Sequence, residues 1–127
     1  MEGGASVRWA APELFTPNPV SLKHASTSHY TDVWSFGMLC LELMTGDRPF
    51  HHLTREILVA MDLQEGKLPE RPGDPATSRG LSEGLWAIMM RCWDHIPESR
   101  PSMIRVMEML RPLLHTASPP GTQLDLP

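Results

Sequence analysis

At 127 residues the chain fits one ordinary domain with a real core, and a hydrophobic content of 41% keeps most of it out of the disordered class. A formal charge of -4 without any Lys/Arg run excludes a basic face for nucleic acid or for a membrane surface. The two cysteines, Cys40 and Cys92, both lie in apolar helical patterns, which excludes a disulfide scaffold and fits a reducing, cytoplasmic compartment; the opening Met-Glu-Gly-Gly-Ala-Ser has no signal-peptide character.

The first predicted element is short: Pro12 suits the first position of a helical turn running through Phe15. Thr16 to His29 has two prolines, several Ser and Thr and no apolar period, and reads as a loop. The dominant element follows, with Thr31 as N-cap and Asp32 beside the positive end of the helix dipole. From Val33 to Met44 its only charged residue is Glu42, and large apolar side chains point all the way round, so this helix must be wrapped by others. It is too short for a membrane span, which needs about 20 apolar residues. Gly46 supplies a left-handed stop and Pro49 forbids continuation.

A second helix is predicted from a Thr54 cap to about Gln64, with Ile57, Leu58, Met61 and Leu63 on its apolar stripe and Gly66 as its end. Lys67 to Arg79, rich in proline, reads as an extended surface connection. Ser82 opens a third helix carrying Leu85, Trp86, Met89, Cys92 and Trp93 at helical spacing and stopping before Pro97. Pro101-Ser102 opens a fourth, with Met103, Val106, Met107, Leu110 and Leu114 on one face. No stretch alternates as a strand, so the fold class is all-α. Residues 1–114 form the ordered unit, and 115–127, with its Pro, Gly and Ser, a flexible tail.

Three clusters stand in order along this frame: Arg8-Trp9-Ala10-Ala11-Pro12-Glu13, then Asp32-Val33-Trp34-Ser35-Phe36-Gly37, then Cys92-Trp93 through Pro97-Glu98-Ser99-Arg100-Pro101. Each alone has a structural explanation: a carboxylate in a first helical turn, a core tryptophan, a solvated Arg-Pro turn. In this order they resemble the helical C-terminal lobe of a eukaryotic protein kinase, in the tyrosine-kinase-like and tyrosine kinase branches. Thr45-Gly46-Asp47-Arg48-Pro49-Phe50 also matches that family's turn between two of its helices, and the resemblance covers roughly residues 4 to 114.

The resemblance implies roles. Ala11, Pro12 and Glu13 would close the activation segment, and Glu13 would form a buried pair with Arg100. Such a pair requires bidentate guanidinium geometry, and removing one partner strands a charge at about 3–5 kcal/mol. Asp32 would accept backbone hydrogen bonds from a catalytic loop, at the start of a buried helix that also carries Trp34 and Gly37, with Trp93 packed nearby. Ser6 falls where the family places a Ser or Thr touching the catalytic machinery. Val7, Arg8, Trp9 and Ala10 correspond to the loop that receives the substrate beside the phosphoacceptor. The stretch between Glu13 and Asp32 is longer than the family commonly shows, implying an insertion near the substrate groove.

Phosphoryl transfer also needs a cover for the phosphates, a lysine on them, magnesium ligands and an Asp orienting the attacking hydroxyl. The sequence contains no Gly-x-Gly-x-x-Gly, no Val-Ala-Ile-Lys, no His-Arg-Asp and no Asp-Phe-Gly, and Lys23, Arg48 and Lys67 sit in loops without a phosphate-binding motif. No catalytic or metal-ligating residue is therefore assigned, and no cofactor in this chain; ATP and Mg2+ are implied for a longer parent. The expected partners are a protein substrate or the N-terminal part of a kinase domain, with no nucleic acid and no membrane. The reading is a fragment of an ATP-dependent protein kinase acting on Ser/Thr, less on Tyr, inactive alone and prone to associate because part of its central helix lacks cover. The competing reading is a catalytically empty docking module. His51 and His52, being adjacent, would point apart on a regular element, and no zinc spacing exists. Nine methionines serve as adaptable core filler.

Overall fold

A computed structural model describes residues 7–15 and 29–116. Ser6, the 16–28 stretch with its inferred insertion, and 117–127 lie outside the described residues. Within them the chain is helical, with no strand: α1 (His29–Thr45), α2 (Glu56–Gln64), α3 (Ala76–Arg79), α4 (Glu83–Cys92) and α5 (Met103–Thr116). Three 3-10 turns, Val7–Trp9, Pro12–Leu14 and Pro97–Ser99, complete the set.

The 17-residue α1 is about 25 Å long at 1.5 Å per residue and forms the axis. It is already helical at His29, so Thr31 is a buried helix residue and not its cap. At the other end Gly46 takes φ +80° and its N–H donates to Glu42 O at 2.8 Å, a left-handed stop that glycine adopts without a Cβ penalty. Val33, Trp34, Met38 and Leu41 are buried on α1, each contributing about 1.5–3 kcal/mol by leaving water. The wrap is incomplete: Leu39 is exposed and Leu43 is 65% exposed.

The layer over α1 is chiefly α4, with α5 against α4 and α3 against α1. Ser82 Oγ accepts from the Leu85 N–H, capping α4 as its sequence predicts. Ile88, Met89, Cys92 and Trp93 are buried there, while Leu85 and Trp86 are half-buried, with Trp86 meeting Trp93 edge-on at 5.5 Å. The two helices come close at Gly37, where a Cβ would lie 2.5 Å from Trp93 Nε1 and 3.2 Å from Cys92 Cβ.

Three local expectations differ from the structure. α2 starts at Glu56 behind Arg55, with no side-chain cap from Thr54, and it buries Val59 and Leu63 while Ile57 (54% exposed), Leu58 and Met61 face outward. Of the expected stripe Leu63 alone packs inward; the segment is held from outside by Arg8, through Leu53 O and the Glu56 side chain, and by Phe15 O, which accepts from Gln64 Nε2. Ala76–Arg79 forms a short helix inside the proline-rich connection, since buried Ala76 docks on the core. On α5, Met107 and Leu114 are exposed; Val106 carries the burial with Met109, Leu110 and Leu113 partly packed, and the helix runs two residues into the expected tail, to Thr116.

Candidate functional site: a clamped segment across two helices

Residues 7–15 lie across α1 and α2 and are held by three side chains from the same short stretch. The first is Arg8. Although its position in the sequence suggests contact with a substrate, it is only 1% exposed. Its Nη1 donates to Pro49 O (3.2 Å) and Phe50 O (2.8 Å), and its Nη2 to Leu53 O (2.7 Å). Its Nε lies 3.7 Å from a Glu56 carboxylate oxygen. Burial lowers the Arg8 pKa from its ordinary value, and the positive charge of Arg48 adds to that fall. Arg8 is therefore an internal strap: it ties the first 3-10 turn to the turn after α1 and to the start of α2. Phe50, one of its acceptors, holds φ 58°, a strained value for an aromatic residue that the strap helps to maintain.

Trp9 is the second clamp. Its indole Nε1 donates to Glu42 Oε1 at 3.0 Å, and Ser35 Oγ donates to Trp9 O at 2.8 Å. This explains why one carboxylate interrupts the apolar body of α1: it receives an indole N–H from outside the helix. The third clamp is Glu13. Arg100 Nη1 donates to Glu13 Oε2 and Nη2 to Glu13 Oε1, both at 2.8 Å, in the parallel bidentate form. The guanidinium further donates from Nε to Asp94 O (2.8 Å) and from Nη1 to Tyr30 O (2.9 Å). It also lies 4.9 Å above the Trp34 ring. Arg100 is 4% exposed and Glu13 9% exposed, so a desolvated pair with nearly all its donors used anchors the end of the 7–15 stretch.

The expected site residues divide accordingly. Ala11, Pro12, Glu13, Trp34, Gly37, Trp93 and Arg100 are buried in one continuous region. Val7, Trp9 and Ala10 are half-buried on the outer side of the platform, and Ala10 N–H donates to Val7 O at 3.2 Å. Asp32 is exposed in the first turn of α1, apart from this network. Sequence reasoning missed Glu42 as the acceptor for Trp9 and the inward fate of Arg8. The available signals were a single carboxylate in an apolar helix and a single cation between Val7 and Trp9. Gln64 Nε2 donates to Phe15 O at 3.1 Å and fixes the far end of the stretch to α2.

Among the described residues no group of three or more His, Cys, Asp or Glu could hold a metal ion. No helix among them is long and apolar enough to cross a membrane.

Residues 1–110 match the family model described as protein tyrosine and serine/threonine kinase. Among curated proteins, the chain is 35% identical over 118 residues to the serine/threonine-protein kinase CTR1 of Arabidopsis thaliana, covering 93% of this chain and 13% of that protein. It is 33% identical over 116 residues to the tyrosine kinase receptor Cad96Ca of Drosophila melanogaster (91% of this chain, 13% of that protein). It is also 33% identical over 97 residues to the human tyrosine-protein kinase FRK (76% and 16%). The chain therefore spans a small part of each relative's length. On the family match over most of its length, this chain belongs to the protein tyrosine and serine/threonine kinase family.

Proposed function

We propose that this chain is the substrate-side lobe of an ATP-dependent protein kinase and works as part of a longer catalytic unit that phosphorylates protein Ser/Thr, with Tyr the lesser alternative. The observation that carries the reading is the bidentate Glu13–Arg100 pair, which pins the end of the stretch that carries Val7–Ala10. A rigid platform suits phosphoryl transfer because that chemistry depends on positioning and electrostatics more than on covalent work by the protein. Val7, Trp9 and Ala10 would contact the substrate, while Arg8 would act by positioning them; Ser6 and Asp32 would meet a catalytic loop supplied by the parent. ATP and Mg2+ would be held by that parent. Alone, the chain would transfer no phosphate. Its two free cysteines, one buried and one partly buried, fit a reducing, cytoplasmic setting.

The test is complementation. The chain is fused behind the N-terminal portion of a related kinase domain, and phosphate transfer is measured on peptides carrying Ser, Thr or Tyr. The proposal expects transfer by the fusion, none by the chain alone, and loss of transfer with Glu13→Gln. A folded fusion that is inactive on all three acceptors would overturn it. The outward Ile57, Leu58 and Met61 on α2 favour a second reading, a docking module without catalysis. A fusion that never transfers phosphate while the isolated chain captures a folded partner through α2 would establish that reading instead.

A further inference from the structure

A pocket of about 310 Å³ opens between the turn after α1 and the proline-rich segment after α2. Its size is at the lower end of the range for small-molecule sites, about 300–1,000 Å³. Leu41, Pro49, Phe50, Pro69 and Pro72 supply an apolar lining, and Leu41, Pro49 and Phe50 are fixed in the core. The polar lining is Thr45, Arg48, Arg71, His51 and His52, with Glu70 its single carboxylate. The histidines do not point apart, because they lie in an irregular turn; both line the pocket with ring centroids 6.1 Å apart.

Two features set this exposed cluster apart from the charges around it. The ion pairs of the described residues use Arg8, Lys67, Arg100 and Arg105, and none neutralises Arg48 or Arg71. Behind the pocket wall, the buried Arg8 guanidinium adds a further positive charge, compensated only by an exposed Glu56 carboxylate at 3.7 Å. A chain with net charge -4 thus gathers uncompensated guanidinium groups at the mouth of an apolar recess. Arginine forks suit phosphate oxygens bidentately, and flat proline and phenylalanine faces suit an aromatic ring.

We propose that this pocket binds an aryl phosphate, specifically the phosphorylated aromatic side chain of a peptide, with the ring on the Pro49/Phe50/Pro69/Pro72 faces and the phosphate between Arg48 and Arg71. His51 and His52 add donors to the phosphate. This inference does not depend on phosphoryl transfer by the chain. The sequence offered Arg48 no anion-binding context because Arg71, beyond α2, joins it and the neighbouring His51 and His52 only in the folded chain.

The probe is phenyl phosphate, titrated into the whole chain and followed by the ring-proton NMR signals of His51 and His52, with phenol, inorganic phosphate and a Gly-Gly-phosphotyrosine-Gly-Gly peptide as separate arms. Arg48→Gln and Arg71→Gln are made singly and together; both side chains are exposed, so circular dichroism should show an unchanged fold. The proposal expects saturable binding of phenyl phosphate and of the peptide, with inorganic phosphate and phenol each weaker by about ten-fold, and a loss of about ten-fold for each arginine removed. No saturation by phenyl phosphate, equal binding of inorganic phosphate, or binding insensitive to the double substitution in a folded chain would overturn it. Binding of phenyl phosphate without binding of the peptide would overturn the assignment to a peptide side chain.

Discussion

Gly37 on α1 and Trp93 at the end of α4 approach so closely that no side chain fits between them: a Cβ at position 37 would stand 2.5 Å from Trp93 Nε1. Alanine normally improves a helix interior by about 1 kcal/mol over glycine. Here the added methyl must displace a fully buried indole and also meets Cys92 Cβ at 3.2 Å, and overpacking of this kind costs about 1–3 kcal/mol. Gly37→Ala should therefore lower stability by a net of up to about 2 kcal/mol despite its better helix propensity. Urea denaturation checks the sign; a more stable variant would show that the α1–α4 approach is looser than described.

The Glu13–Arg100 pair should dominate the charged interactions. Glu13→Gln leaves a buried guanidinium facing an amide donor and should cost about 3–5 kcal/mol. The exposed Arg105–Glu108 pair at 3.1 Å should contribute only about 0–1 kcal/mol. Equal losses for Glu13→Gln and Glu108→Gln in chemical denaturation would contradict the buried geometry.

Arg8 should resist conservative replacement. Arg8→Lys keeps the charge but offers one compact ammonium in place of a fork that reaches three carbonyls, so it should still lose about 2–3 kcal/mol. Its accompanying sign is local: hydrogen exchange of amides around Phe50 and Leu53 should accelerate before that of α4.

Stability should fall in alkali. Burial raises the Cys40 thiol to about 11 and the Cys92 thiol to about 12, from an ordinary 9.0. Below pH 9 both states carry protonated thiols and this contribution is complete. Between pH 9 and about 11–12 the unfolded chain releases protons that the folded chain retains, so unfolding becomes easier as pH rises. The Cys40→Ala, Cys92→Ala double variant should show a shallower loss of melting temperature across that window.

The exposed Leu39 and Leu43 should drive self-association of the isolated chain. Leu43→Lys should shift sedimentation towards monomer with little change in melting temperature, because the leucine is already in water.

Much of this architecture is visible in local chemistry. The apolar body of α1, its Gly46 stop and the Ser82 cap are written in neighbouring residues, since capping and propensity act within a turn or two. The Ala-Pro-Glu, Asp-x-Trp and Arg-Pro clusters identify the lobe because their order reflects one shared packing. Which face of α2 turns inward was not legible. Ile57, Leu58 and Met61 have the composition of a buried stripe, yet the contacts that orient α2 come from residues far away in the chain.

The sequence by itself determined the helical class, the order of the elements and the family. Only the tertiary structure decided that Arg8 turns inward as a strap, that Glu42 receives Trp9, and that Arg48, Arg71 and two histidines share one recess. The physical reason is range: hydrophobic period and caps are set by adjacent residues, whereas a buried charge or a pocket wall exists only once distant segments are brought together and water is excluded.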